Sequence, residues 1–273
     1  MKKLKSIFFP KPLVLDNGKE VKRPFRSSLV ASLIILILVG ISMDVTNFDV
    51  GLLIRRGDKF LVILQKMVPP NWDYLPNVWE PMFQTVGMSI FGTFLAGLFG
   101  LPLAYYSAVN MNDNKIVRSI FRFIMSIFRT IPVLMLALVL TYIFGIGTFT
   151  GMMALFLFTT SILTKMTYEQ IELVDMGPFE ASLSAGTSRI KAFVVSIVPQ
   201  LSGFYISNLL YNLEMNIRSA AILGYVGAGG IGILMNDRIS LRMYADLSVV
   251  LILLLVTVVI IETLSRAIRK RLV

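Results

Sequence analysis

Long apolar runs separated by short polar segments dominate the chain. A bilayer-spanning helix needs about 20 mostly apolar residues, and six runs approach or exceed that length. They place spans at about residues 27–43, 81–109, within 116–145, 150–167, 197–223 and 244–265. The pattern therefore predicts an all-α integral membrane protein with about six transmembrane helices.

Two segments break this pattern. Residues 44–80 mix apolar and charged positions and end in VPPNWDYLPNVWEP, which is typical of an external segment lying along the membrane interface. Residues 165–199 form a polar loop too long for a hairpin, and they predict one or two short cytoplasmic helices. We expect an N-terminal region over 1–74 (tail, first span and external segment) and a single membrane domain over 75–270.

Proline and arginine modify the second and third spans. Pro102 predicts a kink in the second span, because proline removes a backbone hydrogen bond. The third begins amphipathic, with Arg118, Arg122 and Arg129, and becomes fully apolar after Pro132. Arg129 is expected to anchor this break to a neighbouring helix or to a lipid phosphate.

Composition supports the membrane assignment. The chain is 56% hydrophobic and 15% charged, whereas soluble domains are about 25% charged. The net charge of +10 does not require nucleic acid, because Lys and Arg collect on the cytoplasmic side of membrane proteins. With both termini cytoplasmic, eighteen of the 26 Lys and Arg residues fall inside. The first apolar run follows a long polar stretch, so we expect a retained signal anchor rather than a cleaved signal peptide.

Several kinds of chemistry lack their residues. The sequence has no cysteine and no histidine, so a metal site would need carboxylates alone. It also lacks the G-x-x-x-x-G-K-[ST] pattern of a phosphate-binding loop. We therefore expect no catalytic residues, no metal and no cofactor.

The loop 165–199 contains GPFEASLSAGTSRIKAFVVSIVPQ. A Gly-Pro pair suits the start of a helix, the glutamate that follows lies near the positive end of the helix dipole, and small residues allow another surface to approach. A later glycine allows a break, and a proline marks the return to the membrane. The candidate residues are Gly177, Pro178, Glu180, Ala181, Ser182, Gly186 and Pro199.

The fifth span carries polar residues at membrane depth. Glu214 and Arg218 are four residues apart and share a helical face, with Ser219 at its border and Asn216 off it. Charges in the bilayer core are costly and face a partner or a wet cavity. These residues line a substrate path, with Arg218 attracting an anion, or Glu214 and Arg218 form a structural ion pair. The sequence leaves both interpretations open.

The stretch GYVGAGGIG follows the fifth span and contains G-x-G-x-x-G. A dinucleotide site would require a strand before the motif, and a membrane span precedes it instead. We expect these glycines to end the span, pack backbones closely and line a cavity. The candidates for an outer gate or helix break are Gly227, Gly229, Gly230 and Gly232.

Two motifs resemble a known family. Glu180, Ala181, Gly186 and Pro199 are similar to the E-A-A…G…P loop of importer permeases in the ATP-binding-cassette (ABC) superfamily, although Ser182 replaces the usual second alanine and the end reads SIVP. The run NIRSAAILGYVGAGGIG resembles phosphonate importer permeases. RTIPVLMLAL at 129–138 and the segment MVPP…PMFQTV extend the similarity.

This resemblance implies the type-1 importer permease fold and a bacterial inner-membrane location. It implies a homodimer, two copies of an ATPase subunit docked on the loop around Glu180, and an external substrate-binding protein. ATP hydrolysis would belong to the partner, so the chain itself would not be an enzyme. Membrane lipid completes the expected partners, and nucleic acid is not among them.

Other functions stay open at this point. Permeases of the same superfamily carry phosphite, phosphate, methionine or quaternary amines. An integral membrane enzyme would need intramembrane acids, bases or a metal, and only Glu214 with Arg218 offers such groups. A passive channel or proton-coupled carrier would not need the docking loop.

Overall fold

The structure, a computed structural model, describes residues 13–14, 20–21 and 27–272. The chain forms two compact units, Met1–Val62 and Ile63–Val273. The boundary that we placed at residue 74 from the sequence stays a prediction.

The first unit contains the N-terminal elements. Strands β1 (Leu13–Val14) and β2 (Glu20–Val21) form a short antiparallel pair. The apolar helix α1 (Ser27–Val45) and the amphipathic helix α2 (Val50–Lys66) follow, and the last residues of α2 belong to the second unit. The rest of the predicted cytoplasmic tail lies outside the described residues.

All the regular secondary structure in the described part of the second unit is helical. A 3-10 turn at Trp72–Tyr74 precedes its helices. These are α3 (Pro76–Ser107), α4 (Lys115–Thr130), α5 (Val133–Phe144), α6 (Thr148–Ile171), α7 (Gly177–Ser184), α8 (Arg189–Ala192), α9 (Val198–Leu223), α10 (Ile231–Ser240) and α11 (Tyr244–Arg269). A π-helical turn at Phe193–Ile197 joins α8 to α9, and a 3-10 turn at Gly224–Val226 follows α9.

The number of spans agrees with the sequence pattern. Among the described residues, four helical segments are long and apolar enough to cross a membrane, namely α3, α6, the run Arg189–Val226 and α11. Two bent helix pairs raise the number to six when each is taken as one span. The prediction of an all-α membrane protein with about six spans is therefore confirmed.

The third span is broken at Pro132, where the sequence predicted a break, and it consists of two helices. Helices α4 and α5 meet at an angle of 96°. Ile131, the residue before Pro132, is extended at ψ 123° because a proline disfavours helical geometry in the residue before it. Helix α5 has 12 residues, about 18 Å, and is too short to cross a core of about 30 Å by itself.

Helices α3 and α6 form the central pair of the bundle, and small residues bring them together. A Cβ at Gly92 would lie 3.0 Å from the carbonyl oxygen of Met152. Three buried hydroxyls, those of Thr85, Ser89 and Thr93, follow at i+4 spacing along α3. Each donates to the carbonyl four residues earlier, at 2.6 to 2.8 Å. This bonding satisfies their polar groups inside an apolar bundle.

Buried clusters mark the two ends of the second unit. At one end, which we call the basic end, Phe179 and Phe193 pack with Ala104, Ile171 and Leu201. The opposite end, which we call the glycine end, holds the Gly-rich stretch. Its cluster combines residues from α3, α9, α10 and α11: Val78, Met82, Ala221, Ile231, Val249 and Val250.

Candidate functional site

The predicted docking loop folds as two short helices at the basic end. We call residues 172–197, which run from the end of α6 through α7 and α8, the coupling segment. Pro178 lies in the first turn of α7, and Gly186 ends the turn after it with φ +83°. That conformation costs glycine little. Pro199 lies in the first turn of α9, so the positions of these three residues agree with the expected helix boundaries.

Helix α7 has an exposed face and a buried face. Glu180 and Ala181 are exposed, while the preceding residue, Phe179, is 3% exposed and packs into the bundle. Gly177 receives a side-chain cap because its N–H donates to Asp175 Oδ1 at 2.9 Å. The surface glutamate therefore sits on a helix that is anchored by an aromatic side chain.

Ser182, where the resemblance predicted an alanine, has a specific contact. Its hydroxyl lies 2.9 Å from the Ser196 hydroxyl and donates to the Pro178 carbonyl at 2.8 Å. The Ser196 hydroxyl lies 3.1 Å from the same carbonyl. The hydroxyl pair joins α7 to the π-helical turn.

The polar residues of α9 separate into buried and exposed positions. Glu214 is 5% exposed and pairs with Arg269 of α11 at 2.5 Å. Arg218 is exposed, and Ser219 is partly buried. The ion pair between Glu214 and Arg218 that the spacing allowed is absent from the described residues, because Arg269, 55 residues along the chain, takes the carboxylate instead.

Asn216 lies inside the bundle. Its Nδ2 donates to the hydroxyls of Thr93 and Thr159 at 2.8 Å each, and the Thr159 hydroxyl lies 3.1 Å from its Oδ1. The side chain is 3% exposed. It joins α9 to α3 and α6 rather than facing a path.

The Gly-rich stretch forms the turn between α9 and α10. Gly227, Gly229 and Gly230 have φ values of +78°, +84° and +70°. Gly224 and Gly232 approach so closely that a Cβ on either would overlap the backbone of the other. The turn is therefore a close backbone crossing of two helices.

Hydrogen bonds attach this turn to the rest of the glycine end. The Gly147 N–H donates to the Gly227 carbonyl at 3.0 Å, and the Ile231 N–H donates to Thr85 Oγ1 at 2.7 Å. A cavity of about 390 Å³ opens beside it. Its polar and glycine lining consists of Gln84, Gly147, Thr148, Gly229, Gly230 and Asp237.

Arg129, expected as an anchor, lies in the last turn of α4 and is partly buried. The described residues give its guanidinium no hydrogen bond or ion pair. Its anchoring role stays a prediction.

The sequence pattern missed two polar junctions. At the basic end, Arg122 pairs with Glu172, and its guanidinium lies 4.3 Å from the ring centre of Tyr168. Each partner lies about 50 residues away, so spacing along one helix could not reveal them. The amphipathic face of α4 was the only indication available.

The second junction lies at the glycine end. Asp246, 4% exposed, accepts from Asn71 Nδ2 at 2.7 Å and lies 3.5 Å from Arg238. Arg238 also lies over the Tyr74 ring at 5.0 Å. Burial raises the pKa of the Tyr74 hydroxyl above its usual value, although the nearby Arg238 charge lowers it. These contacts fasten the segment before α3 to α10 and α11.

Comparison with known proteins supplies a family. Residues 100–273 match the family described as "Binding-protein-dependent transport system inner membrane component". The phosphate-import permease protein PhnE of Mycolicibacterium smegmatis is 32% identical over 218 residues, which cover 80% of this chain and 41% of that protein. The chain therefore spans less than half the length of that relative.

Two further comparisons cover most of both partners. The phosphite transport system permease protein PtxC of Stutzerimonas stutzeri is 29% identical, over 81% of each chain. A chain of the MetNI methionine ABC transporter, solved in inward-facing conformations, superposes with a TM-score of 0.62 at 20% identity. That match covers 72% of this chain and 96% of the MetNI chain. The structural likeness shows that the two chains share a fold.

Proposed function

The chain belongs to the family of binding-protein-dependent transport system inner membrane components, and from this membership we propose that it is the permease subunit of an ATP-driven importer for phosphonates or related phosphorus oxyanions. Relatives named for phosphate import and phosphite transport support this substrate class. The run NIRSAAILGYVGAGGIG supports phosphonate within that class. The chain is a multi-pass membrane protein with the fold of an ABC importer permease.

The single observation that carries the proposal is the geometry of α7. Glu180 is exposed on its surface while Phe179 is buried among residues of α3, α6 and α9. A separate ATPase subunit that grips the exposed face therefore moves a helix packed into the membrane bundle. Rigid elements carry such displacements, because packed interiors deform little.

The assembly that we propose follows the family resemblance. Two copies of the chain form the translocation path, two ATPase subunits dock at the basic end, and an external binding protein delivers the solute at the glycine end. Both termini then lie in the cytoplasm. ATP hydrolysis belongs to the docked subunits.

Arg218 is the residue that we propose for attracting the anion. The Glu214 carboxylate is neutralised by Arg269, so it does not cancel the charge of Arg218. Arg218 lies in the middle of an exposed stripe on α9. An arginine at membrane depth faces a partner or a wet cavity, and a second copy across this stripe would enclose such a path. The other members of the stripe on α9 are Tyr211, Met215 and Ile222, and Tyr225 of the 3-10 turn that follows α9 continues it.

Gly227, Gly229, Gly230 and Gly232 form the proposed outer gate. Their turn borders the cavity at the glycine end, and the backbone conformations of Gly227, Gly229 and Gly230 admit few other residues. A small rotation of α10 about this turn would change the width of that cavity.

Reconstitution tests the proposal. The chain, its ATPase subunit and its binding protein are placed in proteoliposomes, and ATP-dependent uptake of methylphosphonate, phosphite and phosphate is compared with uptake of methionine and betaine. We expect uptake of at least one phosphorus oxyanion. Uptake of methionine or betaine alone would contradict the substrate class, and uptake without the ATPase would contradict the permease role.

Substitution of Glu180 tests the docking surface. We expect Glu180→Arg to abolish co-purification of the ATPase subunit, because it reverses the charge on the exposed face of α7. The matched control is Glu169→Arg, which reverses an exposed glutamate at the end of α6. Intact co-purification of the Glu180→Arg variant would show that the ATPase docks elsewhere.

A further inference from the structure

The loop between α3 and α4 is tied to the coupling segment by side chains that the proposed function does not use. We call this set the inner bracket, and it consists of Arg122, Glu172 and the loop 108–114. All of it lies in the second unit, at the basic end. Its contacts connect two parts of the chain that are about 60 residues apart.

Arg122 joins three helices. Its Nε donates to the carbonyl of Ser107, the last residue of α3, at 2.8 Å. Its guanidinium also pairs with Glu172, the residue that follows α6, and lies over the ring of Tyr168. One side chain on α4 therefore holds the ends of α3 and α6 together.

The loop 108–114 adds direct bonds to the start of the coupling segment. The Val109 N–H donates to the Glu172 carboxylate at 2.8 Å. Asn110 Nδ2 donates to the Ile171 carbonyl at 2.8 Å and lies 3.2 Å from the sulfur of Met176. These bonds fix the chain just before α7 begins.

A further bond reaches the second half of the coupling segment. Arg189 Nη1, at the start of α8, donates to Asp113 Oδ2 at 2.6 Å. This hydrogen bond holds the pKa of the Asp113 carboxyl below its usual value. The same loop thus grips the chain on both sides of α7.

Apolar packing continues the connection. Ala108 and Met111 of the loop are buried in the same cluster as Phe179 of α7 and Phe193 of the π-helical turn. The bracket is therefore a polar rim around a shared core. A displacement of α7 is therefore transmitted to α3 and α4 through the bracket, in addition to α6 and α9, to which the coupling segment is joined along the chain.

We propose that the inner bracket is a second mechanical link between the ATPase docking helix and the membrane bundle, with Arg122 as its positioning residue. The link makes α3, α4 and α7 move as one body during transport. It rests on the proposed function, since the motion that it transmits begins at the docked ATPase.

Arginine is the side chain that these contacts require. Its planar guanidinium donates in several directions and stacks on an aromatic ring, whereas a lysine ammonium is a single point charge on a flexible stem. The contacts to Ser107 and Glu172 use different nitrogens of the group. Arg122→Lys is expected to behave like Arg122→Gln rather than like wild type.

Hydrogen exchange of the full chain in lipid nanodiscs tests the link without any partner. Without the bracket, the coupling segment should unfold locally more often, so Arg122→Gln should raise the rate of amide hydrogen exchange in residues 172–184 about tenfold. The control Lys165→Gln removes an exposed charge of α6 that lies outside the bracket, and exchange should stay at the wild-type rate. Unchanged exchange in Arg122→Gln would overturn the proposal.

Asp113→Asn keeps the test decisive if Arg122→Gln does not fold. The Asp113 side chain is 78% exposed, so its replacement leaves the core intact. We expect faster exchange in residues 186–192, where Arg189 loses its carboxylate. Wild-type exchange in this variant would also overturn the bracket.

Function in the assembled transporter separates this proposal from the docking proposal. Arg122→Gln should keep the ATPase subunit bound while lowering the stimulation of ATP hydrolysis by loaded binding protein about tenfold. Full stimulation would overturn the bracket while leaving docking at Glu180 intact. Loss of ATPase binding in Arg122→Gln would likewise overturn it, because Arg122 would then belong to the docking surface.

A cross-link tests whether the bracket moves as one body. The chain has no cysteine, so Asp113→Cys with Arg189→Cys introduces one pair of thiols per chain for a short reversible bis-methanethiosulfonate reagent. Because the two positions stay together in the proposed motion, cross-linked transporter should retain uptake. Loss of uptake that a reductant restores would show that the two segments separate in each cycle, and would overturn the proposal.

Discussion

Glu214 and Arg218 lie one turn apart on α9 and differ in burial and in the residues that they contact. The carboxylate is buried and paired with Arg269, whereas Arg218 is exposed one turn away on the same helix. Removing one partner of a buried ion pair destabilises a protein, because the other charge then stays buried without compensation. We propose that Arg218, which is exposed at membrane depth, meets the solute instead.

Because of this difference, we expect one glutamine substitution to lower mainly stability and the other to lower mainly uptake. Glu214→Gln leaves the Arg269 guanidinium without its carboxylate. We expect a loss of stability of about 3 kcal/mol, the lower end of the range for breaking a buried ion pair. Arg218→Gln should change stability by less than about 0.5 kcal/mol and should still reduce uptake strongly. Thermal unfolding in detergent and uptake in proteoliposomes measure the two effects.

A clear result would contradict this assignment. If Arg218→Gln lowered the unfolding temperature as much as Glu214→Gln while uptake fell only in proportion to folded protein, Arg218 would be a structural residue. Asn216→Ala serves as the reference for such behaviour. It removes buried hydrogen bonds between helices, each worth about 0.6 kcal/mol in a membrane protein.

At the scale of elements, glycines set how closely the helices approach. Gly224 and Gly232 allow α9 and α10 to cross with their backbones in contact. Gly92 does the same between α3 and α6. Without a hydrophobic driving force between helices in lipid, such close contact is a main source of helix association.

Two alanine substitutions separate close approach from simple flexibility. A Cβ at Gly232 would overlap the Ala221 carbonyl oxygen, so Gly232→Ala should destabilise the protein by about 1–3 kcal/mol, as overpacking does. Gly87, inside α3, has nothing within 4 Å of its would-be Cβ. Gly87→Ala should therefore be neutral or stabilising by up to about 1 kcal/mol, because alanine favours helix.

Unfolding temperatures of the two variants in the same detergent provide the measurement. Equal destabilisation at both positions would indicate that helix flexibility, rather than backbone contact, is what these glycines provide. A stable Gly232→Ala variant would show that α9 and α10 separate easily at this crossing.

Local features of these elements follow from the sequence, and their partners do not. Pro178, Gly186 and Pro199 act on their own backbone, so they placed the short helices of the coupling segment correctly. The apolar pattern also located the long helices, and Pro132 marked the break within 116–145. The size of the bend, 96°, did not follow from the sequence, because hydropathy does not measure the direction of a helix.

The contacts of Glu214 and Arg122 illustrate what sequence reasoning missed. Both pair with residues about 50 positions away. Their pairing depends on how the helices pack, and a single sequence records only which residues are near in the chain. The helix of the Glu180 motif was therefore predictable, whereas the bracket that holds it was not.

At the scale of the whole molecule, Lys and Arg are distributed unequally between the two ends of the second unit, while both ends also carry acidic residues. The glycine end carries Arg238 and Arg242, whereas the basic end carries Lys115, Arg118, Arg122, Arg189 and Lys191. An excess of Lys and Arg in short loops marks the cytoplasmic side. We infer that the coupling segment lies in the cytoplasm, where ATP is available.

Single cysteines test this orientation, because the native chain has none and gives no background. Leu173 and Leu241 are 79% and 62% exposed, at the basic end and the glycine end respectively. In intact spheroplasts, a membrane-impermeant maleimide should label Leu241→Cys and leave Leu173→Cys unlabelled, and permeabilisation should make both reactive. Labelling of Leu173→Cys before permeabilisation would show that the orientation in the membrane is the reverse of the one inferred here. The helix that carries Glu180 would then face away from ATP, and the ATPase-driven mechanism would fail with it.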